Sequence, residues 1–359
     1  MWHCRLLSAK ILPNVHKQIN VKGNNGKSKR GEPVMKKIMF LLMAFCLCII
    51  LFACGESDNP VVVIYTSAEE NRREAMQEDL DARFPNYVIR IEYYSTGDLL
   101  ARLLAEGTDT ECDIIGEMEY ANLDRIIELL ADLSAYNTGI YTDDMIPNEP
   151  RYLPWYRNGG CIAVNRMVLS DRGLPVPESY ADLLNPQYQG LISMPNPLSS
   201  GTGYMFLKSL VNAWGEQEAF DYFEELSNNI LSFTTSGSGP VNALIEGEVA
   251  IGFAMTAQTV SEINSGFPLR IHFFEEGSPF SLYGIGMIRG RETRREVTEV
   301  FDYIVNRWTE MDKLLFCPER IYNDREFTLP NYPVSIRYAD MSNNTSEEKE
   351  RLLERWTHR

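Results

Sequence analysis

Val61-Val62-Val63-Ile64-Tyr65-Thr66-Ser67-Ala68 is a β-branched run that stops abruptly at small hydroxylated residues. It shows no polar alternation, so it reads as a strand buried on both faces of a parallel sheet. A charge-rich helical pattern comes next, through Asp81, then a second strand from Val88 to Tyr93. Ser95-Thr96-Gly97-Asp98 opens an amphipathic helix with Leu99, Leu100, Leu103 and Leu104 on one side. A third strand, Cys112 to Gly116, leads into a helix carrying Leu123, Ile126, Ile127 and Leu130. This alternation predicts βαβ units and a doubly wound α/β sheet.

The pattern restarts further along. Tyr152 to Tyr156 and Cys161 to Val164 flank Asn158-Gly159-Gly160, which reads as a long strand broken at a flexible point. Leu191 to Met194 is a strand running into Ser199-Ser200-Gly201-Thr202-Gly203 and a helix. Leu231-Ser232-Phe233 leads into Thr234-Thr235-Ser236-Gly237-Ser238-Gly239 and a second helix, and Val249 to Ala254 and Ile271 to Phe274 are further strands. The charged tail from Ser342 carries Leu352, Leu353 and Trp356, a stripe that predicts a docked helix.

Upstream, Met35-Lys36-Lys37 precedes an unbroken apolar run from Ile38 to Ala53, which ends in Leu51-Phe52-Ala53-Cys54-Gly55. A charged start, a short apolar core and small residues before a cut are the parts of a secretory signal. With cysteine just after the cut, the stretch resembles a bacterial lipoprotein lipobox. That resemblance implies residues 1–53 are removed, Cys54 is lipidated, and the rest is extracytoplasmic and held on a membrane surface. A plain signal-anchor helix is the other reading. Met35 is the expected true start, because signals begin at their own Met and Lys pair.

The first 53 residues hold nine Lys/Arg against one Glu, so residues 54–359 carry all of the acidic excess behind the chain's net charge of −16. An acidic surface argues against nucleic acid or anionic lipid as partner. Of the seven cysteines, Cys112, Cys161 and Cys317 remain beyond Cys54, each beside apolar residues and without metal-type spacing. They read as small core hydrophobes. Membrane contact is then expected through the lipid anchor alone, and the chain as a monomer without cofactor or bound metal.

Three strand ends share one design, a run of Ser, Thr and Gly that opens a helix: Ser95 to Gly97, Ser199 to Gly203, and Thr234 to Gly239. A first helical turn leaves N–H groups unpaired and carries positive partial charge. Hydroxyls add donors, and glycine lets a ligand approach the backbone. Any one loop alone reads first as a helix cap; three on neighbouring strands point to a site for an anionic group. Catalysis finds little support. His272 sits within an apolar strand, and Ser236-Gly237-Ser238-Gly239 lacks the context of a hydrolase nucleophile. Acid pairs such as Glu69-Glu70 read as solvated; Glu276, before Gly277-Ser278, is kept as an acceptor for a ligand hydroxyl or ammonium. Tyr93 and Tyr94 face opposite ways and cannot grip one ion together.

Gly160-Cys161-Ile162-Ala163-Val164-Asn165, Gly173 to Tyr180, Asp182-Leu183-Leu184-Asn185-Pro186, Gly190-Leu191-Ile192, Ser200-Gly201-Thr202-Gly203, Ala243 to Ala250 and Glu275-Glu276-Gly277-Ser278 occur in order. As a set they resemble the extracellular solute-binding proteins of ABC importers, in the ferric-iron, phosphonate and sugar-phosphate branch. The resemblance spans roughly residues 60 to 330. It implies a two-lobed periplasmic-binding-protein-like fold (type II), each lobe a doubly wound sheet, with a ligand cleft between lobes. Residues 54–158 plus 281–330 would form lobe 1, and 159–280 plus 331–359 lobe 2, with crossings near Arg157 to Ile162 and Phe280 to Gly284. It further implies ligand contacts at Tyr65, Ser67, Ser95, Thr96 and Gly97 from the first lobe. From the second it implies Ser199, Ser200, Gly201, Thr202, Thr235, Ser236, Gly237, Ser238 and Thr256. Iron-binding members carry a tyrosine pair where this chain has Ala257-Gln258, so the resemblance fits a small anionic solute, a phosphonate or phosphate ester, better than iron. The implied partners are that solute and the permease subunits of an ABC importer; a ferric-iron receptor and an extracytoplasmic phosphoesterase are the alternatives.

Overall fold

The computed structural model describes residues 59–357; Cys54 and the apolar run before it lie outside the described residues. Strand β1 (Val61–Thr66) is buried at five of its six positions. Val62 and Ile64 face one core and Val63 and Tyr65 the other, as two-faced burial requires. Helix α1 (Glu70–Arg83) buries Arg72, Met76 and Leu80, spaced four apart on one face. After β2 (Val88–Tyr93), Ser95 caps α2 (Thr96–Glu106) by accepting the Asp98 N–H at 3.3 Å, and α2 buries Leu99, Leu100 and Leu103. Strand β3 (Ile114–Glu119) is followed by α3 (Tyr120–Arg125), shorter than its leucine pattern predicts. The chain is drawn back to the sheet, where Leu130 bridges Ile288.

The second half holds β4 (Tyr152–Asn165), α4 (Arg166–Asp171), β5 (Ile192–Pro195), α5 (Gly201–Trp214), α6 (Glu216–Leu226), β6 (Ile230–Thr234) and α7 (Gly239–Ile245). It continues through β7 (Ile251–Met255), α8 (Thr256–Asn264), β8 (Leu269–His272) and β9 (Phe280–Met287). Helix α9 (Arg295–Tyr303) runs through a π turn into α10 (Thr309–Leu315), and α11 (Ser346–Thr357) ends the described chain.

Two sheets share one strand. The first runs β2-β1-β3-β9-β4 and the second β8-β4-β7-β5-β6. Both are mixed: β1 pairs parallel with β2 and β3, and β5 with β6 and β7, while every pairing of β4 and β9 is antiparallel. Strand β4 is not broken at its glycines. It pairs with β9 as far as Gly159 and with β7 from Gly160, so the glycines mark where one strand passes between lobes. Crowding explains them. A Cβ on Gly159 would lie 2.7 Å from Glu319 Oε1, and one on Gly160 would lie 2.7 Å from Met205 Cε.

A second crossing lies alongside at Ser278 to Phe280, where Gly160 N–H donates to Pro279 O and the Ser278 hydroxyl to Gly160 O, both at 2.7 Å. It falls just before the Phe280 to Gly284 stretch, which is already paired in the first sheet. The returning tail makes a third crossing, as Ser278 N–H donates to Arg337 O and Ala339 N–H to Ser278 O. The tail helix then seats Leu352 and Trp356 in the second lobe's core beside Phe220 and Phe223. Cys112, Cys161 and Cys317 are buried free thiols.

Candidate functional site

Strand ends of both lobes meet at one cleft. Its wall contains Ser67, Glu69, Tyr93, Ser95 and Thr96 from the first lobe, and Ser199, Ser200, Thr202, Ser236, Gly237, Ser238 and Met255 from the second. Tyr156 and Asn158 on β4 and Tyr283 on β9 complete it. Strand periodicity sends Tyr93 into the cleft and Tyr94 away from it, where Tyr94 packs on Tyr65 with ring centroids 4.9 Å apart.

The lobes touch across the cleft. Gly97 N–H donates to Ser199 O at 3.3 Å, and Tyr93 shares the cleft wall with Ser236 of the other lobe. The cavity left is about 30 Å³, room for about two water molecules. A larger solute therefore enters only when the lobes part.

Of the residues expected at a site, Ser67, Ser95, Thr96, Ser199, Ser200, Thr202, Ser236, Gly237 and Ser238 come together here. Gly97 and Gly201 line an adjoining cavity behind Ser199 and Ser200. Their lack of a side chain serves packing: a Cβ on Gly97 would lie 3.0 Å from Leu198 O, and one on Gly201 would collide with the Tyr283 hydroxyl. Four residues do not line the cleft. Tyr65 turns into the core under α2, with Arg102 5.0 Å from its ring centre. Thr256 is fully buried at the start of α8, beneath Met255, and Thr235 stands outside the wall formed by its neighbours. Glu276 accepts the Trp214 indole N–H at 3.1 Å, because the turn at Gly277 (φ 94°) leads its carboxylate toward α5.

Hydroxyl donors dominate the second-lobe wall. Ser200 caps α5 by accepting the Gly203 N–H at 3.4 Å, Ser236 and Ser238 hydroxyls lie 3.0 Å apart, and Ser199 Oγ is buried without a partner. A buried polar atom left unpaired costs free energy, which a ligand acceptor would recover.

The first-lobe wall rests on buried charge. Arg72 contacts Asp312 at 2.6 Å, Glu117 at 2.7 Å and Glu69 at 3.2 Å, with its guanidinium 4.4 Å from the Tyr156 ring centre. Lys313 adds a second cation on Asp312 at 3.1 Å. Burial pushes the Glu117 carboxyl up to about 8, against the pull of Arg72. Burial acts likewise on Asp312, but Arg72 and Lys313 outweigh it and hold that carboxyl below the usual range. Glu117 sits at φ 53°, at the shift in the β3–β9 register, which lets its carbonyl accept the Ser67 hydroxyl at 2.7 Å. Burial raises the phenols of Tyr93, Tyr156 and Tyr283, which stay neutral donors.

Sequence reasoning missed Glu69, Tyr93, Tyr156, Asn158, Met255 and Tyr283 as wall residues. The aromatic and amide run Trp155-Tyr156-Arg157-Asn158 just before the crossing glycines was the available signal. Among the described residues, no histidine lines the cleft; His272 is half-buried in β8, where burial lowers its pKa. The wall thus offers hydrogen-bond donors and acceptors around a small cavity.

A Haemophilus influenzae protein of uncharacterised role is 28% identical over 201 residues, 54% of this chain and 58% of that one. The chain thus spans little more than half the length of that relative. Among solved structures, the periplasmic binding protein AfuA from Actinobacillus pleuropneumoniae, with fructose-6-phosphate bound, is 22% identical with TM-score 0.73, covering 84% of this chain and 98% of that one. Iron-bound HitA from Pseudomonas aeruginosa is 16% identical with TM-score 0.68, covering 82% and 99%. These likenesses establish the two-lobed fold. The family model described as bacterial extracellular solute-binding protein matches residues 129–310, from the end of the first lobe's third βα unit through both crossing strands, and the chain belongs to that family.

Proposed function

We propose that this chain is an extracytoplasmic receptor, lipid-anchored at Cys54, that captures a small anionic solute and delivers it to an ABC permease. A phosphate ester or phosphonate is the solute class that suits the wall. The observation carrying this reading is the meeting of hydroxyl loops from both lobes, including the unpartnered Ser199 Oγ, at the first turns of α2 and α5. Helix starts favour negative charge, and an anion held by both lobes binds the closed form better than the open one. AfuA, of like fold, holds a sugar phosphate. Anchoring rests on the sequence around Cys54.

A thermal-shift panel of fructose 6-phosphate, methylphosphonate and ferric citrate tests the ligand. A solute at 100 times its Kd adds about 2.7 kcal/mol of stability. Ser200→Asp keeps a helix-capping residue at α5 but sets a like charge in the wall, so the fold should persist and the shift should vanish. A full shift in Ser200→Asp, or none with any phosphorylated compound, contradicts the reading.

Ferric ion is the second reading, because Tyr93, Tyr156 and Tyr283 share the wall with Glu69. Iron binding needs phenolates, whereas burial favours the neutral phenols here. A visible charge-transfer band on adding ferric citrate, lost in Tyr156→Phe, would favour iron.

A further inference from the structure

The cleft is chemically lopsided. Its second-lobe wall is hydroxyls and a helix start, while the first-lobe wall carries one carboxylate, Glu69. Glu69 precedes α1 but makes no capping bond with its side chain, so the helix does not require the carboxylate. Its contact with Arg72, at 3.2 Å, is the longest that guanidinium makes to a carboxylate. Asp312 takes two bonds from the same group, at 2.9 and 2.6 Å. Arg72 is therefore largely committed to Asp312 and Glu117, and Glu69, in the cleft wall, has acceptor capacity left for an occupant.

A carboxylate repels a phosphate placed against it and accepts from a hydroxyl. Beside it stand the rings of Tyr93, Tyr156 and Tyr283, the last two tilted at 32° with centroids 5.0 Å apart. Arg72 covers one face of Tyr156 and Arg73 one face of Tyr93, so what these side chains bring to the wall besides bulk is phenolic hydroxyls beside the Glu69 acceptor. Resting on the anionic-solute reading above, we infer that Glu69 is a specificity-determining residue. It receives hydroxyls of the ligand's carbon body while the anionic head lies on the Ser199–Ser200 and Ser236–Ser238 loops. The ligand class is then a phosphorylated polyol, rather than bare phosphate or an alkylphosphonate.

Calorimetric titration of fructose 6-phosphate, inorganic phosphate and methylphosphonate into wild type, Glu69→Ala and Glu69→Gln tests this. A hydrogen bond to a charged group corresponds to about 10- to 100-fold in affinity. Glu69→Ala should weaken fructose 6-phosphate by that factor and leave inorganic phosphate unchanged or tighter. Glu69→Gln, which keeps a carbonyl acceptor and the shape beside Arg72, should recover part of the loss. An equal effect of Glu69→Ala on all three compounds, or no effect, overturns the role of Glu69 while leaving anion binding intact. Failure of every phosphorylated compound to bind wild type overturns the anionic-solute reading as well.

Discussion

Gly97 separates closure from stability at a single residue. It lies in the first turn of α2, where alanine is a better helix former than glycine. Its missing Cβ faces Leu198 O at 3.0 Å and Ser199 Cα at 3.3 Å on the opposite lobe. Gly97→Ala should leave the unfolding midpoint unchanged or higher, while ligand affinity falls by the about 1–3 kcal/mol typical of overpacking. Calorimetry and urea unfolding on one sample check both halves. Glu117 makes a prediction in pH. Its folded value of about 8 exceeds the usual 4.5, so the native state holds a proton that the unfolded chain releases. Its contribution is complete below about pH 4.5 and is lost as pH rises toward 8. Between pH 5 and 8 the melting temperature of wild type should therefore fall more steeply than that of Glu117→Gln; parallel profiles would contradict this. At this scale the hydroxyl loops were legible in the sequence, because a Ser/Gly run at a strand end is local information. The role of Glu69 was not, since its partner Arg72 is fixed by Asp312, 240 positions away.

The elements divide the same way. β1 announced itself through an apolar run with no alternation, and α2 through its leucine face, because burial acts on each residue directly. The course of β4 was hidden, since a glycine pair reads locally as flexibility and only the approach of Glu319 and Met205 turns it into a crossing. Tyr156, Asn158 and Tyr283 reach the cleft through that crossing, so their place could not be read before the strand order was known. The stripe of α11 was plain, but the tail's third crossing beside Ser278 was not. Trp356 packs against Phe220, Phe223 and Phe233 at centroid distances of 6.3, 5.4 and 6.1 Å. Trp356→Ala should cost about 3–5 kcal/mol in urea unfolding, with loss of helical signal from the tail. A cost below about 1 kcal/mol would mean that the helix contributes little to the second lobe.

For the whole molecule, three chain segments side by side at Gly159–Gly160, Ser278–Phe280 and Arg337–Ala339 join lobes that each carry part of the donor set. A cleft with room for about two waters must open to admit a solute and close to hold it. Donors in one lobe alone would bind without favouring closure, so both walls must contribute to binding. Calorimetric titration of fructose 6-phosphate into wild type, Thr96→Asp in the first lobe and Ser236→Asp in the second tests this most directly. Wild type should bind measurably and each variant, still folded, should not; wild-type affinity in either variant would refute a site shared by both walls.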